Sequence, residues 1–248
     1  MKQNSILSVA IGLSAATFSV QAAPVTLTNA TATFSQNAFS GFSVDKTIDG
    51  ITADDLGWAI FDQTTGETDP QSAVFETTTD VGLALGTVVT FQLMQFHSNV
   101  GHTLGRFRFS LTTDDRSLFA DGLSSGGDVT ANWTVLDIDS AVSTNGATLT
   151  ELVDHSILAS GFAAATDVYT ITATTTMTAI TGVRLEALAD ASLPGNGPGR
   201  FSANGNFVLS EFTMDATVVP EPSAAFLLLS GSVLSLRRRN FRAHDRNG

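Results

Sequence analysis

The sequence predicts an all-β fold of the β-sandwich or jelly-roll kind. Short runs rich in Thr, Val, Phe and Ala recur between Gly, Asn and Asp residues, as strands recur between turns. No segment of the body keeps an apolar period of 3.6 residues over three turns, which argues against packed helices. With 17 Phe and 43% hydrophobic residues among 248, the chain is also far too apolar to be disordered.

Nine segments have the composition of strands. They are Val25–Phe34, Ala73–Thr78, Thr87–Phe96, Gly105–Thr112, Asn132–Asp137, Thr148–Leu152, Asp167–Thr174, Ile180–Leu188 and Asn206–Thr217. So many short strands with turn residues between them are typical of two packed antiparallel sheets.

The cleanest alternation lies in the fourth of these segments. Phe107, Phe109 and Leu111 fall on one face, whereas Arg106 and Arg108 fall on the other. We therefore expect the phenylalanines to pack inward and the arginines to face water or partner acids.

A weak internal duplication predicts two modules. The tripeptide Gly-Arg-Phe at 105–107 recurs at 199–201, and the polar stretch 121–128 falls where a linker would lie. The sequence therefore predicts β modules at 24–121 and 128–217. One interleaved sandwich of about 190 residues is the alternative, since single all-β domains reach that size.

The first 22 residues have the pattern of a secretory signal peptide. Lys2 precedes the apolar stretch 6–13, and small residues end the segment at Ala22, after which we expect signal peptidase to cut. The alternative is an N-terminal core helix. The signal peptide predicts that the chain is exported.

The C-terminal segment 218–241 has the order of a sorting tail. A Pro-Glu-Pro break precedes 13 mostly apolar residues at 224–236, and three arginines follow. As a helix, the apolar stretch would rise only about 20 Å, short of a hydrocarbon core of roughly 30 Å. The arginines favour the cytoplasmic side of a membrane. The motif residues are Pro220, Glu221, Pro222, Arg237, Arg238 and Arg239.

This tail resembles the PEP-CTERM tail of bacterial exosortase substrates. The resemblance implies a short hydrophobic helix that enters the membrane transiently and is processed by an exosortase-type transpeptidase. The mature protein would then stay at the cell surface or in an extracellular matrix. The extension 240–248 departs from the pattern, because such tails usually stop soon after the arginines.

The charge of the body excludes several functions. Residues 23–219 hold six basic and 22 acidic residues, a formal charge of −16. Such a body repels nucleic acid and anionic lipid and attracts divalent cations, although simple solubility explains the charge equally well. With no Cys, the chain has no disulfide, thiolate metal site or cysteine nucleophile.

Motifs in the body resemble those of discoidin-like (galactose-binding-like) jelly rolls. They are Ile48-Asp-Gly50, Gly57-Trp58, Ala73-Val-Phe-Glu76 and His102-Thr-Leu-Gly-Arg-Phe-Arg108. The resemblance implies binding to glycans or to an extracellular polysaccharide by fold analogy.

Five residues are candidates for ligand binding. Trp58 and Trp133 have rings on which a sugar could stack, although either is more often a core residue. Arg106, Arg108 and Arg200 could donate hydrogen bonds to a ligand or pair with acids.

An acidic loop is a candidate calcium site. Asp45, Asp49, Asp54 and Asp55 surround Gly50, and Ca²⁺ prefers carboxylate oxygens in flexible loops. Their spacing matches no EF-hand, so solvated turn acids are the alternative. No other cofactor is expected.

No motif indicates catalysis. His97 and His102 lack a carboxylate pattern, and His155 beside Ser156 lacks an activated-nucleophile context. Glu186 and Glu211 could form a glycosidase pair, but an ion pair of Glu186 with arginine is the better interpretation.

The sequence therefore predicts an exported, non-enzymatic β-sandwich sorted by an exosortase-type system, binding or scaffolding extracellular polysaccharide. The alternatives are a purely structural matrix protein and, less favoured, a glycoside-acting enzyme.

Overall fold

The computed structural model describes residues 22–36, 41–52 and 55–219. Most of the predicted signal peptide, the whole motif of the predicted sorting tail and Asp54 lie outside the described residues. Within the described part, no helix is both long and apolar enough to cross a membrane. Residues 22–219 form one compact unit.

Fourteen strands are present in the described part of the chain, with short 3-10 helices at Val44–Ile48, Arg116–Leu118 and Pro194–Asn196. In chain order the strands are β1 (Ala23–Val25), β2 (Leu27–Ala32), β3 (Trp58–Ala59), β4 (Gln71–Val81), β5 (Thr87–Gln95), β6 (Arg106–Thr112), β7 (Thr134–Val135), β8 (Ser140–Ser143), β9 (Ala147–Glu151), β10 (Ile157–Gly161), β11 (Asp167–Thr175), β12 (Ile180–Ala187), β13 (Val208–Leu209) and β14 (Glu211–Val218).

Two antiparallel sheets hold most of these strands. The smaller sheet has the order β1-β14-β5-β11-β8. The larger sheet has the order β2-β4-β12-β6-β10-β9, with β7 paired to β6. A separate pair joins β13 to β3. The predicted all-β sandwich is confirmed.

A phenylalanine core fills the space between the two sheets. Phe91 of the smaller sheet stacks on Phe109 of the larger sheet, with ring centroids 4.3 Å apart. Phe212 of β14 lies 4.9 Å from Phe75 of β4 and 5.9 Å from Phe91. All four rings are buried, so the inward alternation predicted for β6 holds and its arginines lie on the outer face.

All nine predicted segments contain strands, but the prediction missed three elements. They are β3, β8 and β10, with two, four and five residues. The sequences of β8 and β10, Ser-Ala-Val-Ser and Ile-Leu-Ala-Ser-Gly, are rich in Ser and Ala and poor in the β-branched and aromatic residues that mark strands.

The division into two modules is wrong, and the interleaved alternative describes the chain. β5 of the first half pairs with β11 and β14 of the second, and β12 lies between β4 and β6. Removing either half would strip both sheets of central strands. The duplicated tripeptides are not equivalent either, because Gly199 forms a β-bridge with Leu104, next to the first copy.

The predicted linker is part of the sandwich. Residues 121–128 hydrogen-bond along β2 and its extension: the N–H of Ala32 donates to the Leu123 carbonyl, and those of Gly126 and Gly127 donate to the carbonyls of Thr33 and Ala32. This segment therefore lies along the outer edge of β2, the terminal strand of the larger sheet.

Candidate functional site

A second, small hydrophobic cluster covers part of the outer face of the larger sheet. Phe119 and Ala120 pack on Val74 of β4, and the half-buried Trp133 packs against them. The ring of Trp133 meets that of Phe119 edge-on, with centroids 5.5 Å apart. The chain between β6 and β7 is therefore held firmly on the sheet.

A pocket of about 370 Å³ opens beside this cluster, and we call it the loop pocket. Its volume lies at the low end of the range of small-molecule sites. The lining includes three carboxylates, an amide, a guanidinium and an aromatic ring, contributed by Glu76, Asp121, Asp128, Asn29, Arg116 and Phe119.

Glu76 is the most enclosed polar group of the loop pocket. It is only 8% exposed, and its neighbour Phe75 points into the core, so Glu76 faces outward from β4. Its Oε1 accepts a hydrogen bond from Asn29 Nδ2 at 3.1 Å. Asn29 lies at an irregularity of β2 with a φ of 55°, a conformation that Asn adopts more readily than most residues. This irregularity positions the amide over the carboxylate.

Arg116 is oriented by the end of β4. Its Nε donates to the Thr77 carbonyl at 2.7 Å, and its Nη2 lies 2.9 Å from Asp80 Oδ1. Nη1 has no hydrogen-bond partner among the described residues. Arg116 thus lines the loop pocket with its Nη1 free.

The two loop carboxylates, Asp121 and Asp128, differ in how many of their oxygens already accept a hydrogen bond. Asp121 accepts the N–H of Leu123 at 3.0 Å and that of Asp128 at 3.1 Å, one on each oxygen. Asp128 uses Oδ1 to accept the N–H of Thr130 at 2.9 Å. Asp121 therefore holds the loop, while Asp128 keeps one oxygen available.

An arginine–carboxylate strip follows on the same outer face, along β6 and β12. Arg108 makes a two-pronged pair with Glu186, with Nε–Oε2 at 2.8 Å and Nη2–Oε1 at 3.2 Å, and this hydrogen bonding raises the pKa of Arg108. Arg184 Nη2 lies 3.3 Å from the same carboxylate. Burial lowers the pKa of Arg184, whose guanidinium lies 5.3 Å from the centre of the Trp133 ring.

Arg106 continues the strip toward the edge of the sheet. It pairs with Asp154 at 2.8 Å and with Asp190 at 3.4 Å, and its Nε donates to Ser156 Oγ at 3.0 Å. Hydrogen bonds from Ser156 and the charge of Arg106 lower the pKa of Asp154 to about 2. The arginines of the strip are thus paired with acids, as one of the two sequence interpretations expected.

Two of the five candidate ligand-binding residues, Trp58 and Arg200, are buried and contact other parts of the protein. Trp58 is completely buried, lies 5.2 Å from Phe207 edge-on and donates its ring N–H to the Phe34 carbonyl, so its sugar-stacking prediction is wrong. Arg200 is buried and donates to the carbonyls of Gly161 and Phe162. Of the five candidates, Trp133, Arg106 and Arg108 lie on the outer face of the larger sheet.

The predicted calcium ligands have separate local partners. Asp45 accepts a hydrogen bond from Ser43, and Asp49 pairs with Lys46 at 3.1 Å. Asp55 accepts the N–H and hydroxyl of Ser98 at 2.7 and 3.0 Å. Calcium binding at this loop stays a prediction.

The residues weighed for catalysis lie apart. Ser156 hydrogen-bonds to Asp154, while His155 Nδ1 lies 3.0 Å from Glu151. Glu186 lies on the larger sheet, whereas Glu211 lines a cavity at the smaller sheet. Neither a Ser–His pair nor the Glu186–Glu211 pair is therefore assembled in the described part of the chain.

His97 and His102 take part in a ring cluster at one end of the sandwich. The His102 ring stacks on Phe201 at 3.8 Å, and its Nδ1 lies 3.2 Å from the Asn99 carbonyl. Burial lowers the pKa of both imidazoles, that of His102 to about 4. This position fits the structural role expected for the pair.

One grouping was missed by sequence reasoning. The side chains of Asp137, Glu151 and His155 offer three metal-ligand atoms within 4.8 Å of one another, all on the surface. The hydrogen bond between His155 and Glu151 accounts for part of this proximity without an ion.

The loop pocket was missed as well. Its polar residues come from β2, β4 and the loop after β6, and no spacing rule joins them. The one available signal was Glu76, a carboxylate inside the apolar strand segment Ala73–Thr78.

Comparisons with known proteins assign no family to this chain. No protein-family model matches the sequence, and no curated protein matches it. Among solved structures, a chain of the Streptococcus pneumoniae beta-galactosidase BgaA, described as architecturally intricate with multiple functions, is similar with a TM-score of 0.45 and 14% identity. The match covers 79% of this chain and 92% of that chain. The fold assignment above rests on strand pairing alone.

Proposed function

We propose that this protein is a non-catalytic β-sandwich that binds an extracellular polysaccharide through the loop pocket. The observation that carries the proposal is the enclosed carboxylate of Glu76, which accepts a hydrogen bond from the exposed Asn29, at a pocket of about 370 Å³. Sugars offer hydroxyls that both donate and accept hydrogen bonds. The free oxygens of Glu76 and Asp128 and the free Nη1 of Arg116 complement such groups.

The neighbouring rings support the same role. Phe119 lines the loop pocket and contacts Trp133, which is half-buried on the outer face. Polar groups at fixed positions beside an aromatic wall are typical of small-molecule sites. Phe119 is only 3% exposed, so a sugar in the loop pocket would contact a small part of this ring.

A purely structural matrix protein is the second candidate. The pairing of Arg106, Arg108 and Arg184 with carboxylates favours it, because these arginines already have partners on the outer face. In this case the strip would stabilise the sandwich and the loop pocket would bind nothing.

Export and sorting belong to the proposal. The signal-peptide pattern ending at Ala22 and the PEP-CTERM-like tail beginning near Pro220 support an itinerary through signal peptidase and an exosortase-type enzyme to the cell surface or matrix. The glycan role of a discoidin-like body belongs here too. Both rest on the residues of the sequence.

A glycan array followed by calorimetry tests the binding function. We expect a glycan ligand whose affinity falls at least about tenfold, or about 1.4 kcal/mol, in Glu76→Gln. Glu67→Gln is the matched control, because Glu67 is exposed in the Asp62–Glu67 turn outside the loop pocket. Binding of no glycan, with no shift in melting on adding Ca²⁺, would leave the structural role.

A further inference from the structure

The charge of the loop pocket points to a class of sugar, and this inference rests on the proposed function. We propose that the loop pocket selects sugars bearing a free amino group, whose ammonium is bound by Glu76 and Asp128. A polysaccharide with non-acetylated amino sugars would then be its preferred ligand.

The hydrogen-bonding capacity of the Glu76 carboxylate is only partly used. This carboxylate is 8% exposed, and Oε1 accepts one hydrogen bond from the neutral amide of Asn29. Its Oε2 has neither a hydrogen-bond partner nor a cation within 4.0 Å in the ranges 22–36, 41–52 and 55–219. Oε2 is not among the fully buried side-chain atoms that lack a partner, so it is open to the loop pocket, where an ammonium would supply both a cation and hydrogen-bond donors.

The charges around the loop pocket do not balance. Three carboxylates line it, from Glu76, Asp121 and Asp128, against the single guanidinium of Arg116. That guanidinium is already paired with Asp80, which is outside the lining. The pocket is therefore negative, so it attracts a cationic sugar and repels a uronic acid.

The lining of the loop pocket suits an ammonium better than a divalent metal ion. Calcium takes six to eight oxygen ligands. Both oxygens of Asp121 already accept backbone N–H groups, which leaves Glu76 Oε2 and Asp128 Oδ2 as the free carboxylate oxygens. Two acceptors suit the three N–H donors of an ammonium, with a ligand hydroxyl or water taking the third.

The test compares two oligosaccharides that differ in the acetylation of their amino groups. Calorimetry on the full chain would use the tetrasaccharide of glucosamine and that of N-acetylglucosamine. We expect the glucosamine form to bind at least about tenfold more tightly. Glu76→Gln should remove most of this preference, whereas Glu67→Gln, with the same change in net charge, should keep it.

The outcomes distinguish the inference from the function beneath it. Equal affinity for both oligosaccharides, lost in Glu76→Gln, would overturn the amino-sugar inference and keep the binding function. Binding of neither these nor any other glycan would overturn both. A preference that survives in Glu76→Gln would trace to the general acidity of the body, which has a formal charge of −16 over residues 23–219, and would also overturn the inference. If Glu76→Gln fails to fold, Asp128→Asn replaces it, with the same outcomes.

Discussion

The ring of Phe119 lies directly over Gly182 of β12. A Cβ at Gly182 would come within 2.5 Å of Cε2 and Cζ of Phe119, closer than atoms of two side chains approach. The absence of a side chain at position 182 therefore lets the aromatic wall of the loop pocket rest on the sheet.

Gly182→Ala should displace Phe119 and destabilise the protein. Overpacking of this kind costs about 1–3 kcal/mol, which urea unfolding would measure. The loop pocket should also bind more weakly, since Phe119 lines it. Thr213→Ala, on the smaller sheet, is the control for a change outside this contact. Unchanged stability in Gly182→Ala would show that Phe119 moves aside without cost.

Glu186→Gln should weaken the arginine–carboxylate strip. Glu186 is 12% exposed and is shared by Arg108 and Arg184, so neutralising it leaves two enclosed guanidinium groups without their common carboxylate. We expect a loss of about 2–4 kcal/mol in the free energy of unfolding. Asp80→Asn removes a pair whose acid is 58% exposed and should cost less than about 1 kcal/mol. Equal losses would contradict this account.

The pH dependence of stability should contain two opposing contributions. Burial and the charge of Asp49 raise the pKa of Glu211 from 4.5 to about 7, against the effect of the Gly50 N–H, so its contribution is lost as pH rises through this range. Burial lowers the pKa of His102 from 6.5 to about 4, so its contribution is lost as pH falls through that range. The two contributions have opposite signs, so they offset each other between pH 4.5 and 6.5.

Single substitutions should separate the two contributions to the pH dependence of stability. Urea unfolding between pH 4.5 and 6.5 should give stability that rises with pH in Glu211→Gln and falls with pH in His102→Gln. The wild type should vary least. The test compares the slopes of the free energy of unfolding against pH and not its absolute values, because His102→Gln also loses the stack on Phe201. The same slope in all three proteins would show that neither group titrates as described.

The two tryptophans should differ in access to solvent. Trp58 is fully buried and Trp133 is half-buried, so acrylamide should quench the fluorescence of Trp58→Phe much more than that of Trp133→Phe. Trp58→Phe should also be the less stable variant, because it loses core volume and the hydrogen bond to Phe34. Equal quenching would show that Trp58 is as accessible to solvent as Trp133 and could serve as a sugar-stacking ring.

Removal of the tail should change where the protein is found. In the native host, deletion of residues 220–248 should release the body into the medium, and the secreted chain should begin at Ala23. Replacing Pro220, Glu221 and Pro222 with alanine, with the apolar stretch intact, separates loss of the motif from loss of the hydrophobic segment. Retention of the deleted form in the envelope would refute the sorting prediction.

The positions of the strands were predictable because they depend on the local sequence pattern. Alternation places Phe107 and Phe109 on one face whatever their partners are, and Gly or Asn marks most strand ends. One error came from long-range order. The tripeptide repeat suggested modules, yet β5 pairs with β11 and β14 because their inward Phe and Ile side chains complete one core.

The sequence by itself determined an all-β chain with a strongly acidic body and no cysteine chemistry, and it predicts terminal segments of targeting type. Only the tertiary structure decided which polar residues meet. Glu76, Asn29 and Asp128 come from β4, β2 and a loop, and they converge because the strands pair across long separations and Phe119 anchors that loop on Gly182. Side-chain burial, which made Trp58 a core residue and left Trp133 half-buried, likewise depends on packing between distant segments and has no local signature.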